Sequence, residues 1–163
     1  WLGYAWLRLG LVRWQLGHVD KAMAAIREAV HKDPNSRAAL AQLVQMLSAT
    51  GRFDEAQQAA LQFQRLEPSS PEGYAWEALA WQGRGETPQA LAVYRQAVER
   101  FPDHFPSLFN LAELLLAQGA LDDAARMYEA FLRAAPSSEV AQRARAQAFL
   151  KDRVGPGSLG EPR

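Results

Sequence analysis

Gly17, Gly51, Gly85 and Gly119 stand 34 residues apart, and the same interval separates Ala22, Ala56, Ala90 and Ala124, as well as Pro34, Pro68, Pro102 and Pro136. An interval of that length, held without drift, predicts a supersecondary unit repeated in tandem, each copy burying its apolar face on the next. It favours binding over catalysis, because such arrays present long surfaces instead of a closed cavity.

Numbered from residue 3, position four holds Trp6, Leu40, Tyr74 and Leu108, all large and apolar, and position eight holds Gly10, Val44, Ala78 and Ala112, mostly small. Position twenty is always alanine; position twenty-four carries Ile26, Ala60, Tyr94 and Tyr128, and position twenty-seven Ala29, Phe63, Ala97 and Phe131. Apolar residues recur at i, i+3, i+4 and i+7, which predicts two amphipathic helices per unit. Helix A is expected over positions one to fourteen and helix B over seventeen to thirty-one. Small residues at eight and twenty let the pair approach closely. The glycine at fifteen suits a left-handed residue closing helix A. Asp20, Asp54 and Asp122 place an acid in the first turn of helix B, and Thr87-Pro88 is the alternative start in the third unit, a cap followed by proline at the first helical position. The proline at thirty-two ends helix B.

These positions resemble the signature of the tetratricopeptide repeat family, and the resemblance covers residues 3–138. It implies an all-α fold, a right-handed superhelix (an α-solenoid) of helix–turn–helix units with helix A on the concave side. The units are expected at 3–36, 37–70, 71–104 and 105–138, followed by a capping helix over 139–153 and a disordered tail over 154–163. The cap is expected from Ser138, with Ala141, Ala144 and Ala148 on its inner stripe and Gln142, Arg143, Gln147 and Lys151 outside. The chain opens on Trp1, and further repeats or a helix are expected ahead of it.

Catalytic chemistry is poorly represented. There is no cysteine, so no thiolate or disulfide. His18, His31 and His104 fall at turns and helix ends of different units, without metal-ligand spacing. Single glycines make no phosphate loop, and the acid pairs mark helix starts, so no enzyme activity, cofactor or metal is expected. Lys and Arg balance Asp and Glu at 18 each, and the third and fourth units are mildly acidic, with three against five and two against four. That pattern argues against a nucleic-acid partner. No apolar run of about 18 residues suggests direct membrane insertion. The compartment is left open between cytoplasm and periplasm.

The resemblance implies a protein or peptide ligand in the concave groove, touched by positions two, five, six, nine, twelve and thirteen of helix A. The candidate groove residues are Arg8, Leu11, Gln42, Gln45, Trp76, Leu79, Gln82, Phe109, Asn110 and Glu113. The carboxylate clamp of chaperone co-factors would need lysine, asparagine, asparagine, lysine and arginine where this chain has Leu7, Leu11, Gln42, Glu72 and Trp76, so a chaperone C-terminal tail is not the expected ligand. Amides flanked by aromatic and aliphatic groups suit an extended or helical peptide. Trp76 at position six either faces the ligand or stacks on a neighbouring helix; Trp6 and Trp81 read as core, and Trp14 reads either way. Glu77 stands where the other units have leucine, and is expected to reach solvent or an arginine, because an unpaired buried carboxylate is costly. Two other readings are a substrate-recruiting module of a larger enzyme and a scaffold that self-associates through its exposed repeat ends.

Overall fold

A computed structural model describes residues 1–153; the expected tail lies outside the described residues. The described chain is all-α, with nine helices: α1 Leu2–Gln15, α2 Val19–Lys32, α3 Arg37–Ala49, α4 Phe53–Leu66, α5 Pro71–Gly83, α6 Thr87–Arg100, α7 Phe105–Ala117, α8 Leu121–Ala134 and α9 Val140–Arg153.

The glycine lattice has one cause at all four places. Gly17, Gly51, Gly85 and Gly119 have φ of 73°, 72°, 78° and 74°, the left-handed region that carries a penalty for every residue with a Cβ. Each sits in a two-bond helix closure. At the first, the Gly17 N–H donates to Trp14 O and the His18 N–H to Arg13 O, both at 2.9 Å, and the same pattern recurs at Gly51, Gly85 and Gly119. The prolines work through their predecessors. A proline ring pushes the preceding residue out of the helical region, so Asp33 (φ −142°, ψ 86°) and Glu67 (φ −129°, ψ 67°) end their helices one residue before proline. At the third unit the start differs from expectation by one residue. Thr87 is already helical and the Glu86 carbonyl accepts the first helical bond, from Ala90 N at 3.0 Å, so Pro88 occupies the second helical position.

The described chain divides into two compact units, the first of residues 1–93 and the second beginning at residue 94. The first holds α1–α5 and the opening of α6. Its core is built by the seam positions: Ala22, Ile26, Ala29, Leu40, Val44, Ala56 and Ala60 are all fully buried. Gly10 shows why position eight stays small, because a Cβ there would lie 2.6 Å from Ile26 Cδ1. The second unit holds the rest of α6 with α7–α9, around Tyr94, Ala112, Ala124, Tyr128, Phe131 and Ala146, each fully buried.

Helix α9 corrects the expected cap. Ala146 is buried and Gln142, Arg143, Phe149 and Leu150 are half-buried, whereas Ala141, Ala144 and Ala148 are exposed. The reason is one extra loop residue. The turn before α3 is closed by Ser36 N to Asp33 O, but the turn before α9 is closed by Glu139 N to Pro136 O, one position later in the repeat. A one-residue slip rotates a helix by about 100°, which turns the alanine stripe outward. Arg143 then donates to the carbonyls of Leu132 (3.0 Å) and Ala135 (2.8 Å), satisfying the open end of α8.

Candidate functional site

In the first unit the candidate residues come from α1, α3 and α5. Arg8 and Gln45 are exposed, Gln42 is half-buried, and Leu11 and Trp76 pack against the core cluster. The Trp76 ring meets Phe63 of α4 edge-on, with centroids 5.0 Å apart and planes at 70°. Of the two sequence readings of Trp76, the geometry is that of stacking on a neighbouring helix. Gly73 permits it: a Cβ there would lie 2.6 Å from Gln64 Cγ and 3.3 Å from the Phe63 ring, so α5 lies close on α4.

Leu79 and Gln82 belong to a different feature. With Ser48, Ala49, Phe53 and Gly83 they line a hollow of about 440 Å³ where the ends of α3 and α5 meet the start of α4. Leu79 is 39% exposed at its edge. Phe53 fills the space left by Gly83, where a Cβ would come within 2.4 Å of the ring. Ser48 Oγ is buried at this hollow with no hydrogen-bond partner among the described residues. Phe53, Ser48, Ala49 and Gly83 were not candidates from sequence. The legible signal was Gly83 standing two residues before the lattice glycine, a second glycine at the end of helix A with no turn of its own to serve.

Glu77 keeps the solvent contact expected of it, being half-buried, and it has polar partners within the chain as well. Gln64 Nε2 donates to its carboxylate at 2.7 Å and also to the Gly73 carbonyl at 3.1 Å, while Trp81 Nε1 lies 3.4 Å from the other carboxylate oxygen. An amide and an indole take the place an arginine would have had. Trp81, expected in the core, is only half-buried, with the Arg84 guanidinium 4.7 Å from its ring centroid.

In the second unit Phe109, Asn110 and Glu113 lie on α7, and each is engaged internally. Phe109 packs on Phe131 (5.1 Å between centroids) and Tyr128 (6.0 Å). Asn110 hydrogen-bonds the Tyr94 hydroxyl; burial pushes that phenol well above its ordinary range, with Asn110 pulling the other way. Glu113 accepts from the Tyr128 hydroxyl and from two nitrogens of Arg145 on α9. Burial opposes the charge on Glu113, but Arg145 and Tyr128 outweigh it and lower the carboxyl pKa. The signal in the sequence was tyrosine at position twenty-four: a phenol placed in the seam needs a polar partner within reach.

Among the described residues no group of three His, Cys, Asp or Glu side chains is placed to hold a metal, and no helix is long and apolar enough to cross a membrane.

Three family models, each described as Tetratricopeptide repeat, match residues 5–46, 42–105 and 83–148. The chain belongs to the tetratricopeptide repeat family. The chain is 33% identical over 113 residues to a protein of Pseudomonas putida named "Probable biofilm formation methyltransferase WspC", matching 69% of this chain and 26% of that protein. It therefore spans about a quarter of that relative's length. In structure it is similar to MamA protein (TM-score 0.72, 18% identity, 99% of this chain and 98% of that one). It is also similar to the first TPR of Spaghetti (RPAP3) bound to an HSP90 peptide (TM-score 0.64, 16% identity, 72% and 94%). At these identities the likeness is one of fold. In this tetratricopeptide array the positions of the chaperone-tail clamp hold a buried Leu7, core-packed Leu11 and Trp76, and an exposed acid, Glu72.

Proposed function

We propose that the chain is a non-enzymatic array that binds a polypeptide along the inner row of its A helices. The observation that carries this is the hollow beside Leu79. It opens between positions nine and twelve of successive A helices, in the row that ligands occupy elsewhere in the family, and it combines an exposed apolar edge with an unpaired hydroxyl. An apolar side chain of an incoming peptide fits such a hollow, with the amides of Gln42 and Gln45 in the same row for its backbone. Arg8, Leu11, Gln42 and Gln45 remain candidate contacts, as does Gln82 at the hollow, which also has a partner within the chain. Trp76, Phe109, Asn110 and Glu113 contribute less than their positions suggest, since each already has an internal partner.

The test is to pan a random peptide library on phage against the immobilised chain, then titrate a selected peptide by fluorescence anisotropy. Leu79→Arg and Ala49→Phe, which charge and fill the hollow, should each weaken binding by about tenfold or more. Glu129→Arg on α8 should leave it unchanged. Selected peptides that bind both hollow variants as tightly as the parent would refute the reading.

A second reading is favoured by one comparison: the methyltransferase relative matches over only a quarter of its own length. On that reading the array recruits a protein substrate for a catalytic domain of a larger enzyme. Removing residues 1–153 from such an enzyme should raise KM for the protein substrate and leave kcat with a minimal substrate unchanged. An equal fall in kcat with both substrates would rule it out.

A further inference from the structure

The hollow beside Leu79 opens where two successive A helices carry small or polar residues near their ends. Position twelve holds Trp14, Ser48, Gln82 and Leu116, and position thirteen holds Gln15, Ala49, Gly83 and Ala117. Ser48, Ala49 and Gly83 leave space at the ends of α3 and α5, whereas Trp14 puts an indole at the corresponding end of α1. That indole is half-buried and packs against the core of the first unit. One repeat later the same register offers a space of about 440 Å³ in place of the side chain. The Phe53 ring, drawn against Gly83 with no room for a Cβ between them, stands as one wall of it.

Two features of the walls select among apolar side chains. Phe53 presents a ring, against which a second ring gains more than an aliphatic group of equal area. Ser48 presents a hydroxyl that is buried without a hydrogen-bond partner among the described residues. Leaving such a group unpaired is costly, and a change of χ1 rotamer swings it about its own Cβ. Leucine or phenylalanine in the hollow would leave the hydroxyl as it is. An indole fills the space, meets the Phe53 ring and brings one N–H, a group that only donates, to an oxygen that accepts. We infer that the hollow is a tryptophan subsite: the polypeptide on the inner row places an indole among Ser48, Phe53 and Leu79, its N–H donating to Ser48 Oγ. The inference rests on the peptide-binding role proposed for this row, and adds to it the residue that the ligand carries.

The test sorts peptides from the phage panning into those that lose binding to Leu79→Arg and those that do not. Peptides of the first group should share a tryptophan. One of them, dye-labelled, and its variant with phenylalanine in place of that tryptophan are titrated by fluorescence anisotropy. The phenylalanine peptide should bind the parent chain about two- to tenfold more weakly, the span of one hydrogen bond, and Ser48→Ala should erase that difference. Ser48→Trp copies the first repeat and should fill the hollow from within, weakening the tryptophan peptide by about tenfold or more. Circular dichroism checks the fold of each variant, and the Ser48→Ala comparison decides alone if Ser48→Trp loses helicity. A shared residue other than tryptophan, or none, overturns the inference and leaves the hollow standing as a binding site. So does a tryptophan preference that Ser48→Ala does not reduce, or full binding to a folded Ser48→Trp chain. If no selected peptide depends on Leu79, the hollow reading itself fails and the inference with it.

Discussion

Replacing Gly51 by L-alanine isolates the physical reason for the lattice. Its φ is 72° and a Cβ built there meets nothing within 4 Å, so the substitution causes no clash and acts through the backbone alone. The left-handed conformation costs an L-residue about 1–2 kcal/mol. Against that, alanine restricts the unfolded chain and recovers about 0.4–1 kcal/mol. The net destabilisation is therefore about 1 kcal/mol. With a urea m-value of about 2 kcal/mol/M, the midpoint should fall by about 0.5 M. D-alanine, introduced by semisynthesis, prefers positive φ and should raise the midpoint instead. Asparagine should fall between glycine and L-alanine, since it tolerates the left-handed region better than other side chains. An L-alanine variant as stable as the parent, or a D-alanine variant less stable than it, would refute the backbone argument.

Met46→Ala should cost about 2–5 kcal/mol of unfolding free energy, whereas Val12→Ala, at the same repeat position but 49% exposed, should cost well under half of that; equal losses would mean that α1 is covered like α3. Trp76→Ala should lower thermal stability as well as any binding, because the indole packs on Phe63, and a variant with unchanged Tm would contradict the stacking. The lowered pKa of Glu113 means that its charged form stabilises the fold at pH values above its ordinary value of about 4.5, and that this contribution is lost as the pH falls through the lowered value. Glu113→Gln should therefore cost about 1 kcal/mol or less near neutral pH, with Arg145 largely solvated, and the gap from the parent should close in acid. A gap independent of pH would show that the ion pair is not its source.

The sequence made the fold legible because glycine, alanine and proline each answer to a single local demand: a positive φ, a close helix approach and a helix end. That logic reached the helix limits to within a residue or two wherever the loop length matched the lattice. It failed at α9, where one added loop residue rotated the helix and exposed Ala141, Ala144 and Ala148. The candidate row was only partly legible, for a related reason. A repeat frame assigns a face to each position, but not what a neighbour's side chain does there. Asn110 and Glu113 lie on the assigned face, yet buried phenols at Tyr94 and Tyr128 reach them. Trp76 sits beside a glycine that draws α5 onto α4. The hollow at Leu79 depends on Gly83 and Phe53 jointly, a pairing between helices that no single repeat displays.

The inner-row account is tested most directly by photo-crosslinking a selected peptide to the full chain. A benzoylphenylalanine replaces Leu79 in one variant and Glu129, on the exposed side of α8, in another. The account predicts a peptide adduct from position 79 and none from position 129. Adducts from position 129 with none from position 79 would place the partner on the B helices and contradict it.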